Sequence, residues 1–236
     1  MARTKTAKGA PEGQLSTRER LVESALGLFR RQGYAATGVK AVLAVAKTPY
    51  GSLYHWFPGG KQELGVAAVA HGGAQYRSLI ELQYPPGVDV IKATANSFVA
   101  AADMLEATDY ADACPIATIA LEVANTDEPM RIAAAEAFES WLAVIEQRFV
   151  AAGMTTERAR ETAVEIFCLI EGAALLSRTT RSSAPLHIAS RTAANTVAAG
   201  IAAGLAAGRD RAPPGGVTAP ILGRGSDWIR LPRLAG

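Results

Sequence analysis

Residues 37–61 read TGVKAVLAVAKTPYGSLYHWFPGGK, and their spacing predicts two short helices joined by a turn. Val39, Val42, Leu43 and Ala46 follow the apolar spacing of a helix, and Thr37 is placed to cap its start. Pro49 suits the first turn of a second helix, where its missing N–H removes no hydrogen bond. Leu53 and Phe57, four residues apart, can pack back onto the first helix. That arrangement leaves Thr48, Tyr50, Ser52, Tyr54 and His55 as polar groups able to reach outward. A helix-turn-helix needs such a division, because only its second helix enters the major groove. Double-stranded DNA is the expected partner.

Charge supports that reading. The chain has 236 residues and a formal net charge of +2, but the charge is unevenly placed. Residues 1–65 carry ten Lys and Arg against four Asp and Glu, whereas residues 66–236 carry fourteen against eighteen. A basic first quarter on a mildly acidic body suits a nucleic-acid-binding head on a regulatory body. Hydrophobic residues make up 49% of the chain and aromatics 6%. With Ala dominant and no alternating β-branched runs, the expected fold class is all-α.

Capping residues and breaks divide the chain. Residues 1–14 read as a flexible basic arm with Arg3, Lys5 and Lys8. Ser16 and Glu19 form a capping-box signal for a first helix that Gly33 can end. This helix and the helix-turn-helix make a three-helix head, residues 15–60. A fourth helix is expected over about 61–81, before the Pro85-Pro86-Gly87 break. Further helices are expected over about 88–107, 115–124, 128–152, 156–180 and 185–207, completing a larger body, residues 61–208. Asp127 and Thr155 are placed to cap two of them. Residues 209–236, rich in Pro, Gly and Arg, read as an irregular tail.

Several functions find no support. Cys114 and Cys168 are the only cysteines, so neither a disulfide scaffold nor a zinc site is indicated, and no metal is expected. The N-terminus lacks the apolar core of a signal peptide, and the apolar stretch 197–208 falls short of the roughly 20 residues of a membrane span. A cytoplasmic location and no membrane partner are expected. No catalytic grouping and no phosphate loop are visible, so no cofactor is expected and the chain is read as a non-enzyme.

The phrase GSLYHWF (Gly51–Phe57) resembles the recognition helix of the TetR family of transcriptional regulators, and PGGK (Pro58–Lys61) resembles its LmrA-like branch. Upstream, LFRRQGYAAT (Leu28–Thr37) is similar to the family's link between its first two helices. The resemblance covers roughly Thr17 to Leu64; beyond that, helix number and phrases such as Glu171-Gly172-Ala173 are similar. It assigns phosphate contacts to Thr37, Tyr54 and Lys61, and the residue chemistry agrees, with His55 beside them. A helix start at Lys61 also favours an anion through its dipole and free amides. Base reading falls to Thr48, Tyr50 and Ser52, with Lys40 at the groove edge. Lys47 stands at the turn position that the family usually gives to Gly. A left-handed Lys costs about 1 kcal/mol, so either the turn is shaped differently or Lys47 serves a phosphate.

The resemblance further implies a small-molecule cavity in the body, and a homodimer through the last two helices. Phe98, Met104, Phe138, Trp141, Ile145, Phe167 and Ile170 are candidate apolar walls, with Glu171 and Asp103 for polar selectivity. Gly200, Gly204 and Gly208, four apart in a charge-poor helix, are read as a dimer ridge. The function expected is a repressor released from a palindromic operator by a small hydrophobic effector. Two other readings stay open: a helical ligand-binding protein or enzyme with a vestigial head, and a nucleoid-type protein that binds DNA without a ligand.

Overall fold

In the computed structural model, residues 15–210 except 113 are described, so the expected arm and tail lie outside the described residues. Among the described residues there are nine helices and no strand. They are α1 (Thr17–Gln32), α2 (Val39–Ala46), α3 (Gly51–Trp56), α4 (Lys61–Gln83), α5 (Val90–Ala107), α6 (Pro115–Val123), α7 (Glu128–Ala151), α8 (Thr156–Thr180) and α9 (Ala184–Asp210). Local chemistry sets many of the ends. Ser16 and Glu19 make the full capping box of α1, and Asp89, Asp127 and Thr155 cap α5, α7 and α8 with their side chains. Gly33 and Gly153 adopt positive φ just beyond α1 and α7.

Two expectations at the helix-turn-helix are corrected. Gly38, not Thr37, holds the N-cap position of α2. Thr37 is fully buried; its hydroxyl donates to the Gly33 carbonyl at 2.6 Å and accepts from Gln32 at 3.1 Å. α3 begins at Gly51, so Pro49 precedes the helix instead of sitting in its first turn.

The long helix α4 joins the two ends of the molecule. It packs most extensively along α7 and also against α1. Close approach is possible because glycines line the contacts: a Cβ on Gly73 would lie 2.7 Å from the Ala137 Cβ, and one on Gly72 would lie 2.8 Å from Leu26. Glycine weakens a helix by about 1 kcal/mol relative to Ala, and here the neighbouring helices occupy the space that a side chain would need. The Trp141 indole N–H then donates to the Gly73 carbonyl at 2.7 Å, fixing α7 to α4.

Two apolar clusters result. One runs from Leu21, Phe29, Leu43, Leu53 and Phe57 of the first three helices through Leu64 and Val69 to Ile116, Met130 and Trp141. The other joins Tyr84, Phe98, Phe149, Ile166, Leu186 and Val197 of the later helices. Phe167 borders both. The first three helices are therefore packed continuously onto α4, α6 and α7.

Candidate nucleic-acid interface and ligand cavity

The turn between α2 and α3 keeps the backbone shape that a helix-turn-helix requires. Lys47 has φ 52° and ψ 50°, the left-handed conformation, and its N–H closes the turn on the Ala44 and Leu43 carbonyls. Its side chain is exposed. Leu53 and Phe57 are buried against the core, as their four-residue spacing requires. On the outer face Tyr50 is 57% exposed and Tyr54 49% exposed, with ring centroids 5.9 Å apart. The neighbouring Tyr50 side chain raises the Tyr54 phenol above its usual range. Lys40 and His55 are exposed and Ser52 is half-buried. Trp56, edge-on to His55 at 5.0 Å, and Val45 are also exposed on these helices. Neither belonged to the expected set, because apolar residues at helical spacing read as core.

Two further groups differ from their expected roles. The Thr48 hydroxyl is buried with no hydrogen-bond partner among the described residues, so it does not face outward as a base reader should. Lys61 is half-buried; its ammonium lies 4.3 Å from the centre of the Tyr34 ring and donates to the Ala35 carbonyl at 3.4 Å. Burial lowers its pKa, and Glu122 acts in the opposite direction. A phosphate contact from Lys61 would therefore exchange that carbonyl for a phosphate oxygen.

Glu122, at the end of α6, organises the link between α1 and α2. Its carboxylate accepts the backbone N–H groups of Tyr34 at 3.2 Å and Ala35 at 2.6 Å. A side chain on Gly33 would collide with this carboxylate, so the glycine is needed for the close approach as well as for its positive φ. Ahead of α6, the buried Asp112 binds Arg30 at 3.0 Å and Arg31 at 3.3 Å. Both flanks of α6 thus hold the end of α1 and the start of the link.

In the body, a cavity of about 340 Å³ is walled by α4, α5, α7 and α8 and by the first residue before α6. Tyr76, Ile80 and Tyr84 come from α4 and its end, Phe98 and Met104 from α5, and Trp141 and Ile145 from α7. Ile166, Phe167, Ile170 and Glu171 come from α8, and Cys114 completes the wall. The Tyr76 and Trp141 rings stack at 5.5 Å, and Phe167 meets Trp141 edge-on at 5.9 Å. Burial pushes the Tyr76 phenol up to about 12 and raises the Glu171 carboxyl, which the neighbouring Cys114 thiol partly offsets. Burial and Glu171 together raise the Cys114 thiol well above its usual range, so it is a neutral neighbour and not a reactive thiolate. The cavity suits a compact, largely apolar guest with few polar groups.

Comparison with known proteins agrees with this pairing of a small helical head and a hollow helical body. The model of bacterial regulatory proteins of the tetR family matches residues 21–68, and that of the C-terminal domain of LmrA/YxaF-like transcriptional regulators matches residues 90–192. The HTH-type regulator YxaF of Bacillus subtilis is 33% identical over 170 residues, covering 72% of this chain and 89% of YxaF. LmrA of the same organism is 32% identical over 175 residues, covering 74% of this chain and 93% of LmrA. The chain belongs to the TetR family. It is a DNA-binding transcriptional regulator of the LmrA/YxaF-like branch. The fold is shared more widely. Escherichia coli NemR superposes with a TM-score of 0.67 at 22% identity, over 76% of this chain and 97% of NemR. A TetR regulator from Legionella pneumophila gives 0.70 at 19% identity, over 78% of this chain and 98% of its own.

Within this TetR-family body, the structure brings Phe98, Met104, Trp141, Ile145, Phe167, Ile170 and Glu171 together around the cavity. Phe138 does not line it. Phe138 packs behind, 5.5 Å from the Trp141 ring and 5.3 Å from the Phe167 ring, half-buried at the edge of the first apolar cluster. Asp103 is exposed and also lies off the cavity. Tyr76, Tyr84 and Cys114 were missed: they stand at a helix C-terminal half, a helix end and a helix cap, where apolar periodicity gives no signal.

The glycine ridge of α9 is a further correction. A Cβ on Gly200 would lie 2.9 Å from Met154, and one on Gly204 would strike the Gly153 carbonyl. These two glycines admit the turn between α7 and α8 of the same subunit. The outward face of α8 and α9 carries other residues: Val164, Leu175, Leu176 and Ile188 are exposed, with Cys168 and the unobstructed Gly172 on the same side of α8.

Proposed function

We propose that this regulator is a homodimeric repressor released from a palindromic operator by a small hydrophobic effector. The observation that carries the reading is the cavity whose walls extend into the head. α4 lines the cavity with Tyr76 and Ile80 and packs on the head through Leu64 and Val69. α6 starts at Cys114 on the cavity wall and ends at Glu122 on the α1–α2 link. A guest that spreads these walls changes the angle of α4 and the position of α6, and the spacing of two heads changes with them. To move a population from 1:99 to 99:1, the effector must prefer the released form by about 5.5 kcal/mol.

In this reading two heads related by a two-fold axis occupy successive major grooves. Tyr50 and Ser52 face base edges, Lys40 lies at the groove edge, and Tyr54, His55, Lys47 and Lys61 serve phosphates. The heads comprise about residues 15–60 and the effector and dimer body about 61–208. Pairing uses the exposed apolar side chains of α8 and α9, among them Leu175, Leu176 and Ile188, since exposed apolar patches mark association sites. Selection of binding sites from random duplex DNA is expected to return an inverted repeat with half-sites about one helical turn apart. Recovery of unrelated sequences with equal affinity would refute sequence-specific binding.

A further inference from the structure

The polar groups of the cavity define which guest it accepts. Of its polar lining residues, Tyr84 already donates to Thr94 at 3.0 Å and Ser97 to the Ala93 carbonyl at 3.0 Å. Cys114 accepts the Ala117 N–H. Among the described residues Glu171 forms no ion pair, and no Lys, Arg or His is among the residues lining the cavity. The remaining wall is mostly aromatic and aliphatic: Tyr76, Phe98, Trp141, Ile145 and Phe167.

We infer that the effector is an aromatic or similarly apolar molecule whose hydrogen-bond donor, a hydroxyl or an ammonium, is directed at Glu171, and that carboxylates and phosphates are excluded. This rests on the cavity being the effector site. The Glu171 carboxyl has only the weakly donating Cys114 thiol beside it, so acceptor capacity remains for a guest that supplies a donor. An anionic guest would bring a second negative charge beside Glu171 with no cation to balance either. The aromatic and aliphatic lining suits an aromatic skeleton, and the Glu171 carboxyl suits a positive charge on its donor.

The test uses the full chain and four probes on one biphenyl skeleton: 4-phenylphenol, 4-phenylbenzylamine, 4-methoxybiphenyl and biphenyl-4-carboxylate. Binding is measured by calorimetry to the wild type, Glu171→Gln and Glu171→Leu, with circular dichroism to establish that each variant is folded. The phenol or the amine is expected to bind the wild type about ten- to a hundredfold tighter than the methoxy probe, and the carboxylate more weakly than all three. A preference for the phenol identifies a hydroxyl source and a preference for the amine an ammonium source. Glu171→Leu should reduce the preferred donor to the level of the methoxy probe while leaving the latter at least as tight. Glu171→Gln should weaken the amine more than the phenol, because the Gln carbonyl still accepts a hydrogen bond. If the methoxy probe matches both donors in the wild type, or the carboxylate binds best, the donor rule is wrong although the cavity is a binding site. If no probe binds the wild type, the cavity itself has been misread.

Discussion

At the scale of single residues, the turn at Lys47 carries a contradiction that experiment can resolve. Its backbone is left-handed, which costs a non-glycine residue about 1 kcal/mol. Its exposed ammonium adjoins the recognition helix. Lys47→Gly is therefore expected to raise the unfolding free energy by about 1 kcal/mol and to weaken operator binding. If Lys47 neutralises one phosphate, the slope of log affinity against log salt should fall by about 0.9 per half-site. Higher stability with unchanged affinity and slope would show that Lys47 does no work on DNA. Thr37 shows the opposite case. Its residue type at a helix start reads as a cap, yet it hydrogen-bonds inward to Gly33 and Gln32. Local sequence gives the chemistry of a hydroxyl but not the direction in which the chain turns it.

At the scale of elements, α6 is short but ties two sites together. Cys114 opens it on the cavity, and Glu122 closes it on two backbone amides of the head. Glu122→Ala should lower stability by about 0.5–2 kcal/mol, the range for losing a side-chain cap on backbone amides. It should also reduce the effect of any cavity ligand on operator affinity. Melting curves beside operator binding, with and without ligand, check both parts. An unchanged ligand effect would remove α6 from the route and leave α4 alone. Most elements were legible in the sequence, because Ser16, Asp127 and Thr155 are strong caps and the apolar spacing between them is helical. The ridge Gly200–Gly204 was misread for a physical reason. Small residues four apart state that something approaches closely, and the neighbour proved to be Gly153–Met154 of the same chain. Likewise, an aromatic run on α7 does not say which ring meets space: Trp141 does, and Phe138 packs behind it.

At the scale of the whole molecule, the proposed dimer uses the exposed apolar side chains of α8 and α9. Leu175 is 61% exposed and Ile188 58% exposed, on neighbouring helices. Placing like charges there, as Leu175→Glu with Ile188→Glu, costs the single subunit little, since both positions already face water. Sedimentation should then show monomer, and operator affinity should fall, while the circular dichroism spectrum stays helical. A dimer unaffected by both charges would place the interface on another face.

The central claim is that occupancy of the cavity governs DNA binding, and filling it tests this most directly. Ala101 and Ala174 line the cavity from α5 and α8, and a Trp at either position would occupy space now open to a guest. Operator affinity is measured for the wild type, Ala101→Trp and Ala174→Trp, with and without a ligand shown by calorimetry to bind the wild type. The account predicts that the ligand lowers wild-type operator affinity. In the filled variants it should have no further effect, whether these variants start bound or already released. Contradiction would be a ligand that binds the wild type without changing operator affinity, or filled variants that still respond as the wild type does.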